Sequence, residues 1–368
     1  MGKATEKNIV RIWFRRVVSD PQIVILVLLL IALFAVVMTM GDMLAPVLAS
    51  MVIAYLLEGL VQIFQRWGVS RLFAVILVFL VFLPLLLFGI FGLIPRLTYQ
   101  VTQLFQQLPT MVAKGQEALL ALPERYPSLI TEQQVKDLMY VLRSELTSLG
   151  QHVVSLSLAS VLGLIALVVY VILVPVLVFF ILKDKDSILA WFNNHLPRER
   201  GLAYEVWHDV DRQIGNYVRG KAWEIFIVGS VAYATFTLMG LQYAVLLATM
   251  VGLSVIIPYI GAAVVTLPIA VIAYFQWGLG SDFLWVMVAY GVIQALDGNV
   301  LVPLLFSEVV NLHPIAIIVA VLVFGGIWGF WGVFFAIPLA TLVQAVLKAW
   351  PRKTDTLETD ERGSAMVS

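Results

Sequence analysis

The chain has no cysteine, little charge and only four histidines in 368 residues. The missing cysteine excludes disulfides, thiolate metal sites and cysteine nucleophiles. Charged residues make up 12% of the chain, against about 25% in a soluble domain. They balance to a net charge of zero, which leaves no electrostatic footprint for a nucleic-acid partner. There is no P-loop and no dinucleotide-type glycine pattern, so nothing points to ATP-driven work by this chain alone. The four histidines lie at the ends of apolar segments or between them, which removes a Ser–His hydrolase inside the membrane. Gly278-Leu279-Gly280-Ser281-Asp282 superficially resembles an intramembrane aspartyl protease motif. Its spacing is wrong, and no neighbouring apolar segment supplies the second aspartate. An enzyme is not expected, nor a cofactor, a metal site or nucleic acid.

What the chain has instead is apolar length. Hydrophobic residues make up 61% of it, and mean hydropathy is +0.97. Runs of about 20 apolar residues recur, each long enough to span a bilayer as a helix. A membrane β-barrel would need ~10-residue alternating segments, and none is visible. The expected fold is all-α and polytopic, with about eight transmembrane helices. Spans are expected at 21–40, 43–64, 72–94, 153–182, 222–240 and 283–303, with apolar hairpins at 243–276 and 314–348. The first run follows a basic start and exceeds a signal-peptide core, so it reads as a retained span.

Lysine and arginine set the expected orientation. Lys3, Lys7, Arg11, Arg15 and Arg16 precede the first span; Arg66 and Arg71 follow the second; Lys183 to Lys221 carries seven more; Arg352 and Lys353 follow the last hairpin. Under this segmentation all lie on one side, so both termini are expected in the cytoplasm. The chain then divides into N-terminal spans (1–94), an outer amphipathic helical cap (95–152), a long fourth span with a cytoplasmic connector (153–221), a C-terminal transport region (222–350) and a disordered tail (351–368). In the cap, Leu104, Leu108, Met111, Val112 and Leu119 recur near helical spacing, as do Val135, Leu138, Met139, Leu142 and Leu146. The cap reads either as a packed lid or as a mobile gate or oligomer contact.

The C-terminal third holds one unit twice. An apolar arm from Tyr243 ends in the tip Ile257-Pro258-Tyr259-Ile260-Gly261, with Pro268 seven residues beyond that glycine. A second arm from Pro314 ends in Gly325-Gly326-Ile327-Trp328-Gly329-Phe330-Trp331-Gly332, with Pro338 six residues on. One span lies between the hairpins, so they are expected to enter from opposite faces. Inverted repeats of Gly/Pro-broken helices are the sequence pointer to a secondary transporter. Gly and Pro are also common in membrane helices generally. Trp328, Phe330 and Trp331 suit either a plug at the tip or an interfacial anchor.

Ionisable residues inside spans are rare and costly, which selects the candidate site residues. Gln294, Asp297 and Asn299 stand in the span between the hairpins, beside Gly298 and ahead of the helix-breaking Pro303. They either coordinate a cation or carry a proton, or Asp297 meets headgroup water at the span's end. Glu58, in the second span, is either a proton carrier or an interfacial partner of Arg66 or Arg71. Arg96 snorkels outward or attracts an anion. Glu224 is expected to pair with Lys221 or Arg219. His313, fixed in a non-helical conformation ahead of Pro314, either titrates near neutrality or caps the hairpin.

The stretches Ile256-Ile257-Pro258-Tyr259-Ile260-Gly261, Gln294-Ala295-Leu296-Asp297-Gly298-Asn299 and Leu312-His313-Pro314, together with Gly325-Gly326, Gly329, Gly332 and Ile337-Pro338-Leu339, form a specific set. Tyr55-Leu56-Leu57-Glu58 and Phe180-Ile181-Leu182-Lys183-Asp184-Lys185 extend it. On these residues the chain resembles the autoinducer-2 exporter (AI-2E) family of bacterial inner-membrane proteins, nearly end to end. The resemblance implies a permease of roughly eight helices with a large loop after the third. It also implies a homo-oligomer, a pentamer first, in the lipid bilayer. Its substrates would be small solutes: family members are linked to export of the furanone autoinducer-2 and others to sodium/proton exchange. A non-transporting organiser of membrane partners is the remaining alternative. The resemblance transfers no site residue, so Asp297, Asn299, Gln294, Glu58 and His313 stand on their chemistry, as do the tip residues Pro258, Gly261, Gly325, Gly326, Gly329 and Gly332.

Overall fold

The computed structural model describes residues 21–120, 133, 140, 160–195, 201–258, 260–306 and 312–349. Every regular element among them is helical: α1 (Pro21–Arg66), α2 (Arg71–Phe88), α3 (Ile94–Leu120), α4 (Ser160–Lys183), α5 (Lys185–His195), α6 (Gly201–Leu238), α7 (Ala244–Ser254), α8 (Ile260–Trp277), α9 (Ser281–Leu296), α10 (Val302–Phe306), α11 (Pro314–Phe334) and α12 (Ala336–Ala349). Two π-helical turns, Gly89–Leu93 and Asp297–Leu301, join α2 to α3 and α9 to α10. Five helical stretches are long and apolar enough to cross a membrane: Met43–Arg66, Arg71–Gly115, Ile260–Trp277, Ser281–Phe306 and Pro314–Phe334. The distal half of the expected outer cap (121–152, save Gln133 and Tyr140), Tyr259, Glu308, Asn311, the basic N-terminus and the 351–368 tail lie outside the described residues.

Two boundaries differ from expectation. The first two expected spans form one helix of 46 residues that runs straight through Gly41-Asp42. At 1.5 Å per residue it is about 69 Å long, more than twice the hydrocarbon thickness. A single aspartate beside a glycine does not break a helix when apolar residues continue on both sides. The third span likewise does not stop at Ile94. It continues through the π turn into the amphipathic α3, so 71–115 is one helical rod.

Both π turns begin six residues before a proline: Gly89 before Pro95 and Asp297 before Pro303. A proline ring collides with the carbonyl four residues back and offers it no donor. Widening the preceding turn by one residue relieves that collision. The N–H of Ile94 then bonds the Gly89 carbonyl, and that of Val302 the Asp297 carbonyl, each five residues back. Such turns occur mostly as single insertions in α-helices, frequently at functional sites.

The chain divides into two compact units, one of Pro46–Asp184 and Ala222–Val302, the other of Met1–Ala45, Lys185–Lys221 and Pro303–Ser368. The 46–184/222–302 unit has two cores. In one, Ala54, Leu57 and Val61 of α1 pack with Ala74, Val75 and Val78 of α2 and Val174, Val178 and Leu182 of α4. In the other, Val228, Ala232 and Phe236 of α6 meet Leu247, Ala248 and Val251 of α7, Val265, Ile269 and Ile272 of α8, and Val286, Tyr290 and Ile293 of α9. The other unit contains the α11–α12 hairpin, with the Tyr217 ring meeting those of both Phe306 and Phe334.

Candidate functional site

The first hairpin is built by backbone contact. After α6, the chain turns through Gly240 (φ 73°) and Tyr243, the one non-glycine residue with positive φ (58°) among those described. Gln276, at the end of the second arm, reaches back to the start of the first. Its Nε2 donates to the Gly240 carbonyl at 2.8 Å, and its Oε1 accepts from the Gln242 N–H at 2.8 Å. The hairpin therefore returns to its own base. Gln100 of α3 accepts from the Leu246 N–H at 2.8 Å, satisfying a donor in the first turn of α7. Leu104 packs on the same core and Gly115 lies over Phe275, so the proximal part of α3 is docked on this hairpin.

Farther along, α6 and α7 cross at Gly229 and Gly252. A Cβ on Gly252 would stand 3.0 Å from the Ile225 carbonyl oxygen and 3.1 Å from the Gly229 Cα. Small residues that let backbones touch are the usual device for packing membrane helices. The first arm, α7, is only 11 residues long, about 16 Å. The tip then folds through short turns, with Ile256 N–H to the Leu253 carbonyl, Ile257 N–H to that of Ser254, and Gly261 N–H to that of Ile257. A Cβ on Gly261 would overlap the Ser254 carbonyl, so the tip closes only over a glycine.

On α9, one stripe faces this hairpin. Val286, Tyr290 and Ile293 are buried, and the Tyr290 hydroxyl donates to the Ala262 carbonyl at 2.8 Å, just past the tip. One turn on, the Gln294 Nε2 is buried with no hydrogen-bond partner among the described residues. At the next turn the π helix begins, and the Asp297 Oδ1 is likewise buried. Since α8 and α9 run antiparallel across a short loop, Gln294 and Asp297 stand level with the tip. Asn299 points elsewhere: it is exposed, and its Nδ2 bonds the Ala295 carbonyl at 2.8 Å.

The same unit buries a residue that the sequence pattern paired with Lys221 or Arg219. Glu224 of α6 is 2% exposed, a carboxylic side chain as buried as the core. It lies four residues before Val228 on the stripe Val228, Ala232, Phe236, and one turn past the Gly229–Gly252 crossing toward the tip. Its four-residue spacing from that stripe was the legible signal.

Glu58 is held differently. Its carboxylate meets Arg71 (Oε2–Nη2 3.2 Å, Oε1–Nη1 3.5 Å), while Arg71 also donates to the Leu182 carbonyl from Nη2 (2.6 Å) and Nε (3.1 Å). The guanidinium thus caps the carbonyl end of α4, with Glu58 balancing its charge.

The second hairpin repeats the plan. His313 is the N-cap of α11, its Nδ1 accepting from the Ile315 N–H at 3.3 Å, with Pro314 at the first helical position. The turn comes at Gly329 (φ 57°, ψ −132°), and a Cβ on Gly332 would overlap the Phe324 carbonyl, as Gly261 does with Ser254. Gly325 is tight against Val333, whereas Gly326 has open space. Trp328 stacks on Phe324 and meets Phe34, Trp331 stacks on Phe335, and Phe330 is exposed.

A family model described as the AI-2E family transporter matches residues 23–352. The chain belongs to the AI-2E transporter family. It is 47% identical over 339 residues to the "Putative permease PerM" of Escherichia coli (strain K12), covering 92% of this chain and 96% of that one. It is 25% identical over 308 residues to the "Putative transport protein YueF" of Bacillus subtilis (strain 168), 82% of each chain. A "Putative transport protein" of Thermotoga maritima is 20% identical over 341 residues, 92% of this chain and 97% of that one. This AI-2E family member is thus a multi-pass membrane protein of a transport family, which implies a lipid bilayer and a small solute as its partners.

Proposed function

We propose that this chain is a secondary transporter that exports a small solute across the bacterial inner membrane, along a path that opens at the tip of the first hairpin. The observation that carries the reading is the burial of Gln294 Nε2 and Asp297 Oδ1 at the tip's level, where the helix widens into a π turn. A polar pair kept from water beside a glycine-closed turn is what a gated solute path requires. The short arms support hairpins that dip into the membrane rather than cross it. The first arm is about 16 Å long, and 314–328 of the second hairpin about 22 Å, both short of the ~30 Å hydrocarbon core. The shared glycine closure, Gly261 on Ser254 and Gly332 on Phe324, supports two gates of common design. Autoinducer-2 is the first solute to test, because it gives the family its name. A homo-oligomer, a pentamer first, is supported by the exposed apolar face of α9 with Leu284, Val288, Gly291 and Ala295, continued by Gly298 of the π turn. Both termini are placed in the cytoplasm on the lysine and arginine bias alone.

The deciding experiment measures autoinducer-2, sodium and proton flux in sealed liposomes, wild type against Asp297→Asn. Furanone efflux lost in the variant supports the exporter and its path. Sodium-dependent proton movement without furanone flux favours an antiporter, a reading that the buried Asp297 carboxyl group at the tip's level also supports. No flux of any kind from folded protein refutes both and leaves a membrane organiser.

A further inference from the structure

The second hairpin holds a carbonyl that its own helix cannot serve. At the join of α11 and α12, the Phe335 N–H bonds the Trp331 carbonyl at 3.0 Å and the Leu339 N–H bonds the Phe335 carbonyl at 2.8 Å. That register would present the N–H of residue 338 to the Phe334 carbonyl. Residue 338 is a proline and has no N–H to give. Buried backbone carbonyls need a donor, and α6 supplies one. The Tyr217 hydroxyl, on a residue 1% exposed, donates to the Phe334 carbonyl at 3.0 Å. The bond lands two residues past Gly332, whose added Cβ would overlap the Phe324 carbonyl. It therefore holds the returning arm just past the point where the hairpin closes.

The same face of α6 seats α10. The Tyr217 ring meets the Phe306 ring at 5.9 Å, the Lys221 Nζ lies 5.2 Å from the centre of that ring, and a Cβ on Gly220 would stand 2.7 Å from it. Positions 217, 220 and 221 are neighbours on one helical face. Phe306 ends the helical stretch Ser281–Phe306, which carries Asp297. Tyr217 thus touches both the end of that stretch and the returning arm of the second hairpin. The first hairpin has a counterpart: the buried Tyr290 donates to the Ala262 carbonyl at 2.8 Å, one residue past Gly261. In each hairpin, a buried tyrosine from a helix outside it bonds a carbonyl within two residues of the closing glycine.

We propose that Tyr217 is a positioning residue of the second hairpin: its hydroxyl latches the Phe334 carbonyl and fixes the closed position of the returning arm, as Tyr290 does in the first. The latch is one hydrogen bond, so it opens and closes without covalent change. Losing it should raise the open fraction about threefold, the factor that a hydrogen bond of average strength inside a membrane confers. Two separate latches let each hairpin open on its own. The proposal rests on the transporter reading for its effect on flux, but not for the position of the arm, which has its own readout.

The chain has no cysteine, so one placed in the returning arm reports on it. Ile337, buried three residues past Phe334, is replaced by cysteine, which needs less room. The full-length protein in lipid nanodiscs is labelled with a membrane-impermeant maleimide, and rates are normalised to the same cysteine after denaturation. Tyr217→Phe keeps the rings and removes only the hydroxyl. It is expected to raise the Ile337→Cys rate about threefold and to leave the rate at Ile257→Cys, in the first tip, unchanged. Tyr290→Phe is expected to do the reverse. Adding Pro338→Ala to Tyr217→Phe supplies an N–H in register with the Phe334 carbonyl and is expected to return the Ile337→Cys rate to that of its parent. A general loss of packing would raise both rates alike and would not be mended by that N–H. Equal rates at Ile337→Cys with and without Tyr217→Phe, in protein that elutes as folded, overturn the proposal. So does a rise of the same size at both cysteines, or one that Pro338→Ala leaves in place. In liposomes, Tyr217→Phe is expected to keep the order in which competing solutes are preferred. A changed order, which would put Tyr217 on the solute, also overturns the positioning role. Absence of flux in wild type would overturn the transporter reading alone, leaving the labelling to decide the role of Tyr217.

Discussion

Replacing Arg71 by methionine is the sharpest test of how the N-terminal helices are held. The guanidinium makes its shortest bond, 2.6 Å, to the Leu182 carbonyl, a group in the last turn of α4. Its contacts to Glu58, at 3.2 and 3.5 Å, are longer and chiefly balance charge. Arg71→Met removes both at once. It leaves the 7%-exposed Glu58 without its counter-charge, and breaking a buried pair from one side costs about 3–5 kcal/mol. Glu58→Gln keeps the bond to Leu182 and should cost about 1 kcal/mol, the net worth of one hydrogen bond. The double change to methionine removes the charge with its partner, and should recover most of the loss, as replaced buried pairs do. The assay is equilibrium unfolding of the purified protein in mixed micelles, followed by helicity. An Arg71→Met penalty below about 1 kcal/mol refutes the account. The same double variant also decides whether Glu58 belongs to the transport path. Wild-type flux would remove it, and lost flux in folded protein would keep it.

Other substitutions test the hairpin tips. Gly261→Ala and Gly332→Ala each drive a Cβ into a backbone carbonyl that cannot give way locally, so each should cost at least about 1–3 kcal/mol and abolish flux, read by unfolding and liposome assay. Gly291→Ala, with nothing within 4 Å of the added carbon, should leave stability equal or higher by up to about 1 kcal/mol. Tyr290→Phe removes the bond to the Ala262 carbonyl and should cost about 0.6 kcal/mol, the mean for membrane hydrogen bonds. A thiol-reactive probe at Ile257→Cys should then react faster, because the tip loses a tether. Gln276→Leu unfastens the hairpin base from Gly240 and Gln242 and should lower the unfolding midpoint without altering substrate choice, as a competition assay would read.

By itself the sequence determined that this is a helical membrane protein with two glycine- and proline-marked hairpins. Apolar length and turn residues are local properties, and a bilayer leaves a helix few alternatives. The polar residues Gln294 and Asp297 were legible for the same reason, since few such groups occur inside apolar runs. Tertiary structure decided what each residue faces. Glu58, Asp297 and Glu224 are all carboxyl side chains in apolar segments, yet one meets an arginine, one opens a π turn and one is fully buried on α6. Those differences arise from contacts between residues far apart in the chain: Arg71 with Leu182, Tyr290 with Ala262, Gly229 with Gly252. Hydropathy also split the first helix at Asp42, where the fold does not. A helix ends where backbone donors and acceptors run out of partners, not where polarity rises. The two π turns were readable in principle, because each proline displaces the carbonyl behind it. Only the packed structure shows that one of them, starting at Asp297, stands level with the tip of the first hairpin.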